Sequence, residues 1–471
     1  MSEVNEAAGL PQALNEPLPD TDGNKEGQES ATSAEAPPAP FVRRMLLGAS
    51  LTAVLQATSS ASGFIVAVAL ARLLGSQRYG IYVFAFAWAS ALTIPAGLGL
   101  NRFVIRGIAR YEVSEMWDHL RGLVVRANTL VAAAASTIAV IGGAIALTTL
   151  GPSSRWVFVV AMSLIPISAL AILRQSTMQA LGRVVSGQIP EFVIRPLVLL
   201  AGVGVLAVVG GKVRTPMAAM IINVIALSAA FAAGLFALRR ALPQQVRTAT
   251  PSYRMREWVT AALPMMLIGG IWQLNGYVST IAVGTIGGPR EAGIYSAVEK
   301  GGEIIVLLLV AANMPFAPLV ARMHARGEIS GLEHGAERIA QATVLASLPI
   351  AVFFLAVPSV YLGIFGGAFA SGGTALRVLA VGQLFNAAAG PVGSVLIMTG
   401  NERAACWGIG SGLVTTVVLS IALVPFLGVT GAAIADAASF VVWNVALNVL
   451  CRRRVGINAT AVRRLAMTAR K

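Results

Sequence analysis

Apolar runs of about 20 residues recur along nearly the whole of this 471-residue chain, and a run of that length is what an α-helix needs to cross a bilayer. Lipid offers no partner to a backbone N–H or C=O, so such a chain must fold as helices or as a closed barrel. The alternating ten-residue segments of a barrel are absent. The composition agrees: 12% of residues are charged, against about 25% in soluble domains. The expected fold class is therefore an all-α polytopic membrane protein with about twelve transmembrane helices, at roughly 45–72, 79–101, 122–148, 156–180, 187–209, 217–239, 258–284, 293–314, 339–364, 375–398, 404–425 and 430–451.

One stretch occurs twice. Gly63, Gly75 and Gly80-Ile81-Tyr82 meet Gly276, Gly288 and Gly293-Ile294-Tyr295 at a constant shift of 213 residues. The same shift carries Arg239-Arg240 onto Arg452-Arg453, and a shift of 212 carries Ala109-Arg110 onto Ala321-Arg322. The chain reads as two related halves with six spans each. An even number sends both halves into the membrane in the same direction, which predicts two pseudo-symmetric six-helix lobes around a central cavity. The expected organisation is an acidic disordered tail at 1–42, lobes at 43–240 and 258–454, a linker at 241–257 and a basic tail at 455–471.

The formal charge of +14 is uneven. Residues 1–40 hold eight acids and one lysine and are too polar to bury a core. They lack the basic and early apolar regions of a signal peptide. The arginines beyond them alternate from one connection to the next: Arg102, Arg106 and Arg110 follow the second span, Arg239 and Arg240 the sixth, Arg452, Arg453 and Arg454 the twelfth. By the positive-inside rule these ends, and both termini, are cytoplasmic. That rule accounts for the basic excess, and no nucleic-acid-reading module is present. Arg102, Arg106 and Arg110 share one face of an interfacial helix, either as anchors or as a site for anionic headgroups. The two cysteines and three histidines have neither disulfide nor metal spacing. No GxxxxGK[ST] loop and no nucleophile–base constellation occurs, so neither an enzyme nor a cofactor is expected.

Polar groups inside the spans mark candidate sites. The first span carries Gln56, Thr58, Ser59, Ser60 and Ser62; its equivalent, the seventh, carries Gln273, Asn275, Tyr277, Ser279 and Thr280. They either face a wet cavity or pack helices together. Glu299, Lys300 and Glu303 stand in the eighth span and Asp436 in the twelfth. This group is either a structural ion pair or a substrate and coupling-ion site. Glu191 and Arg195, four residues apart between Pro190 and Pro196, read as a structural pair.

From Ala71-Arg72-Leu73-Leu74-Gly75 through Arg78-Tyr79-Gly80-Ile81-Tyr82, the chain resembles the bacterial polysaccharide-biosynthesis membrane proteins, the oligosaccharide flippases for O-antigen and exopolysaccharide repeat units. Gly97-Leu98-Gly99 followed by arginines, Gln179-Ala180-Leu181-Gly182-Arg183 and Gly293-Ile294-Tyr295-Ser296 extend the resemblance over roughly 45–450. The acidic tail departs from that pattern. The resemblance implies the multidrug/oligosaccharidyl-lipid/polysaccharide exporter fold in a bacterial inner membrane. It implies a polyprenyl-diphosphate-linked oligosaccharide as cargo, with membrane lipids, a polysaccharide polymerase and export proteins as partners. On that basis Arg72, Arg78 and Lys300 would contact the diphosphate, and Gln56, Ser60, Gln273, Asn275 and Tyr277 would line the sugar path. Glu299, Glu303 and Asp436 would couple proton or sodium movement. The alternatives are a cation-coupled multidrug antiporter of the same fold, a peptidoglycan-precursor flippase, for which extra spans are expected, and a non-transporting scaffold for polymer assembly.

Overall fold

The structure, a computed structural model, describes residues 39–457. The expected acidic tail up to residue 38 and the basic tail from 458 lie outside the described residues. A single compact unit begins at Leu47, and every regular element among its described residues is a helix.

Among the described residues, eight helices are long and apolar enough to cross a membrane. Two of them, Leu51–Ala96 and Glu402–Val455, are interrupted by non-helical glycines, Gly75 and Gly428, and so make four spans. Met255–Ile286 and Pro289–Ala325, of 32 and 37 residues, complete the twelve. The spans in order are 51–74, 76–96, Trp117–Thr149, Pro152–Ala180, Val184–Val209, Pro216–Ala241, Met255–Ile286, Pro289–Ala325, Ile329–Ala356, Gly367–Ala389, 402–427 and 429–455.

The repeat is visible in backbone detail. Gly75 has φ 72° and ψ 167°, and its equivalent Gly288 has φ 88° and ψ 174°. This conformation is open to glycine and closed to residues with a β-carbon, so one residue turns the chain in each half. The expected gap between spans ending at 72 and starting at 79 is thus a single-residue break, and Ser76, Gln77 and Arg78 already belong to the second span. At the other membrane face the chain turns alike at Glu115 and Gly327, both with positive φ. Met116 N–H donates to Tyr111 O (2.9 Å) in the first turn and Glu328 N–H to Met323 O (3.0 Å) in the second.

The halves differ where their sequences differ. After the second span, Gly97-Leu98-Gly99 breaks the helix, with positive φ at Leu98 and Gly99, and a separate amphipathic helix Leu100–Val113 follows. It buries Val104, Ile108 and Tyr111 and exposes Arg102, Arg106 and Arg110. The corresponding residues Val310-Ala311-Ala312 carry no glycine, and the eighth span runs unbroken to Ala325. Arg322, the repeat equivalent of Arg110, therefore stands in the last turn of a long helix, with Arg326 as its cap.

The main hydrophobic core runs through both halves, with Leu70, Tyr79, Leu100, Ile108, Leu123, Tyr295, Phe365 and Phe369 among its members. A second core in the later half gathers Phe316, Leu332, Leu396, Leu447 and Cys451. The linker is clasped by the start of the third span: Ser252 N–H donates to Asp118 O (3.1 Å), and Arg254 Nε donates to His119 Nε2 (3.1 Å). Gly122 leaves the space that the Ser252 carbonyl fills.

Candidate functional site: a polar cavity between the halves

Among the described residues, two adjoining cavities with charged walls lie between the halves. One, of about 300 Å³, is lined by the first, second, fifth, sixth, seventh and eighth spans. The other, of about 230 Å³, shares Phe86, Glu191, Arg195 and Tyr277 with it and adds Ser90, Thr93, Gln175 and Gln273. The first span presents Ser59, Ser62, Gly63, Val66, Ala67 and Leu70, a stripe at helical spacing. The seventh presents Gln273, Gly276, Tyr277 and Thr280. Gly63 and Gly276, equivalent in the repeat, both line the space.

Of the residues expected along the sugar path, Gln273 and Tyr277 line the cavities. Gln56, Ser60 and Asn275 are not among the lining residues. Gln56 continues the Ser59–Gly63 stripe one turn beyond the cavity. Ser60 and Asn275 fall off the stripes of their helices, and Ser59 and Ser62 stand at the wall instead.

The charged residues of the eighth span face the same space. Lys300 Nζ donates to both carboxylate oxygens of Glu303, at 2.8 and 2.7 Å. Their side chains are 28% and 60% exposed. Glu299 accepts from Thr280 Oγ1 at 2.5 Å. On the neighbouring residue, Ser279 Oγ donates to Asp436 Oδ1 at 2.5 Å, and Tyr295 OH donates to Asp436 Oδ2. Consecutive hydroxyls of one helix therefore hold carboxylates from two others. Asp436 lies behind the wall of the cavity and Glu299 in it.

The repeat explains where Asp436 sits. Tyr82 and Tyr295 are equivalent, and the shift of 213 carries Asn223 onto Asp436. Asn223 Nδ2 donates to Tyr82 OH at 2.8 Å, so each half ties the tyrosine of its repeated turn to its sixth helix. The earlier half uses an amide and the later half a carboxylate.

Glu191 and Arg195 line both cavities. Proline at 190 and 196 removes two helical N–H donors, and the fifth span makes a π-helical turn over Pro190–Ile194. Such turns are frequent at functional sites. Glu191 lies 3.9 Å from Arg195 and 3.6 Å from Arg174. Arg174 is almost fully buried and packs against Gly234, where a β-carbon would overlap its guanidinium. Arg195 also donates to Asn223 Oδ1 at 3.3 Å. Spacing alone makes Glu191 and Arg195 a structural pair; the structure puts both at the cavity wall. The sequence signal for that place is a charged pair between two prolines within an apolar helix.

Arg72 and Arg78 lie at the glycine-turn end. Arg72 Nε donates to Ile364 O at 2.6 Å and Nη2 to Gly363 O at 3.5 Å, capping the short helix Pro358–Gly363. Arg78 Nη1 donates to Arg214 O at 3.2 Å. Neither is among the residues lining the two cavities.

The glycine-turn end is shut. A β-carbon on Gly80 would overlap the carbonyl of Pro289, and one on Gly293 would overlap the carbonyl of Ser76. Tyr79 OH lies 3.5 Å from Ser296 Oγ across the halves, and Phe64 of the first span packs on Tyr361 and Phe365. Toward the arginine-rich end, Gly99 meets Ala262 and Met266, and the Arg102 side chain rests on Gly269. A small polar recess there is lined by Asn101, Arg102, Thr93 and Gln273. Among the described residues no group of three or more His, Cys, Asp or Glu could hold a metal ion.

The fold is that of known membrane transporters. An inward-facing multidrug-resistance MATE transporter of the MOP superfamily superposes with a TM-score of 0.70 at 14% identity, covering 83% of this chain and 94% of that one. The lipid II flippase MurJ in an inward closed conformation superposes with a TM-score of 0.61 at 11% identity, covering 84% and 86%. A MOP-superfamily transporter from Pyrococcus furiosus, described as having a binding pocket of reversed polarity, gives a TM-score of 0.59 at 13% identity, covering 87% and 95%. No curated protein sequence matches. The family model for polysaccharide biosynthesis proteins matches residues 45–324, more than half of the chain. The chain belongs to the polysaccharide biosynthesis protein family.

Proposed function

We propose that this protein flips a polyprenyl-diphosphate-linked oligosaccharide repeat unit across a bacterial inner membrane, by alternating access, for polysaccharide assembly such as that of O-antigen or exopolysaccharide. The observation that carries the reading is the content of the shared cavity. Two cations, Arg195 and Lys300, stand among hydroxyl, amide and aromatic groups (Ser59, Ser62, Gln273, Tyr277 and Thr280). Cations answer the diphosphate, and hydroxyls, amides and aromatic rings answer a sugar. The prenyl tail stays in lipid at the edge between the lobes. Lys300 is the diphosphate contact that belongs to the cavity wall, and Arg195 is its partner from the other half. Arg72 and Arg78 would meet the headgroup only at the glycine-turn end.

Transport against a gradient needs an energy source. Glu299, Glu303 and Asp436 are proposed to couple proton or sodium movement, because carboxylates at this depth, Glu299 on one hydroxyl, Asp436 on two and Glu303 on Lys300, are poised to exchange a cation. The arginine-rich connections support a topology with both termini on the cytoplasmic side. A polymerase and export proteins are the expected partners. The resemblance of fold to multidrug transporters keeps a second reading in view, a cation-coupled drug antiporter, and the four carboxylates near the cavity are what favours it.

Lipid extracts from cells lacking the protein decide between them. Accumulation of a complete lipid-linked repeat unit on the cytoplasmic leaflet, with loss of surface polymer, is the expected result. Normal lipid-linked sugars with raised sensitivity to cationic drugs would support the antiporter.

A further inference from the structure

Both cavity cations are already engaged, each by a carboxylate of its own helix. Lys300 is held by Glu303 three residues on, at 2.7 and 2.8 Å, and Arg195 faces Glu191 four residues back, at 3.9 Å. All four side chains line the same cavity. The pairs differ in strength of attachment. Glu191 is tied down, 13% exposed and shared with the buried Arg174. Glu303 has 60% of its side chain exposed, and Lys300 is the partner that the structure gives it.

We infer that Glu303 is a built-in competitor for Lys300 that makes the cavity select multiply charged headgroups over singly charged ones. This rests on the reading of Lys300 as a diphosphate contact. A transporter in a membrane meets anionic phospholipids in large excess over its cargo, and each of their phosphodiesters carries one negative charge. To occupy Lys300 a headgroup must displace Glu303, which carries the same single charge and is tethered to the same helix. The tether gives it a high effective concentration. A phosphodiester therefore gains nothing by the exchange. A diphosphate brings more charge to a cavity lined by both Lys300 and Arg195, so it wins. Specificity comes from the cost imposed on the wrong ligand, as like-charge opposition does at interfaces.

The displaced Glu303 swings into open cavity, which its exposure permits. Glu191 cannot leave in the same way, because Arg174 holds it. Arg195 thus keeps a fixed counter-charge while Lys300 has a mobile one, and the filter resides on the eighth span.

The test is binding of two probes, farnesyl diphosphate and phosphatidylglycerol, to the purified full-length protein in neutral-lipid nanodiscs. Wild type is expected to bind farnesyl diphosphate and to discriminate against phosphatidylglycerol. Glu303→Gln, similar in shape but uncharged, is expected to gain at least about tenfold in affinity for phosphatidylglycerol, the scale of removing one like charge from an ion site, and so to narrow the ratio of the two affinities. An unchanged ratio in Glu303→Gln, with wild type binding farnesyl diphosphate, would overturn the filter and leave the diphosphate site standing. Loss of farnesyl diphosphate binding in that variant would also overturn it, since Glu303 would then be positioning Lys300 and not competing for it. Wild type that binds no farnesyl diphosphate, with Lys300→Gln unchanged in both affinities, would instead remove the diphosphate reading on which the filter rests.

Discussion

Gly80 and Gly293 pack against each other across the two halves in a reciprocal contact. Each is the repeat equivalent of the other, and each lies against a carbonyl, that of Pro289 or Ser76, which are themselves equivalent. This is the contact of an isologous interface, in which residue i meets j′ and i′ meets j, realised inside one chain. It marks the pseudo-two-fold axis and shuts the glycine-turn end of the cavity. Any β-carbon at either position must separate the halves there.

Gly80→Val is therefore expected to disfavour the closed glycine-turn end by about 1–3 kcal/mol, the usual cost of overpacking. The readout is thiol labelling, from the side of the glycine turns, of a cysteine placed at Ser296, which is buried behind the contact. Labelling should rise roughly tenfold or more, and Gly293→Val should give the same result. Unchanged labelling in both would show that the glycine contact does not control access.

Asp436 and Asn223 occupy equivalent places and bind equivalent tyrosines. Asp436→Asn copies the amide arrangement of the earlier half, so it should fold and reach the membrane normally. Its transport should lose dependence on the proton or sodium gradient. Transport by the reconstituted variant under imposed gradients checks this, and retained dependence would remove Asp436 from the coupling role.

Arg174 is almost fully buried beside Glu191 and Gly234. Removing one partner of a buried ion pair costs about 3–5 kcal/mol. Arg174→Leu should accordingly lower the melting temperature of the detergent-solubilised protein by several degrees. Glu191→Gln, which leaves two arginines sharing an amide, should lower it as well.

Much of this architecture is legible in the sequence. The twelve spans and two halves follow from the apolar runs and from the repeat between Gly63–Tyr82 and Gly276–Tyr295, because helix length and glycine placement are local properties. The cavity itself is only partly legible. Gln273, Tyr277, Glu299, Lys300 and Glu303 stand out by polarity at depth, and the structure puts them at its wall. Arg195 does not stand out, because an i,i+4 pair looks the same whether it staples a helix or lines a cavity. Gln56 and Ser60 group with Ser59 and Ser62 in the sequence, because polarity along a helix does not say which stripe faces inward. The capping of the Pro358–Gly363 helix by Arg72 is beyond reach, since it joins residues 292 apart.

Lys300 is the cation on which the proposed mechanism turns. It lies between Glu299 and Glu303, and its reversal to glutamate would leave that part of the cavity wall with acids alone. The most direct measurement is export of surface polysaccharide by cells carrying Lys300→Glu as their sole copy, with the amount of protein in the membrane measured in parallel. Export is predicted to be abolished while the protein is present at normal level. Export at the wild-type rate, from a protein at normal level, would contradict the role given to Lys300.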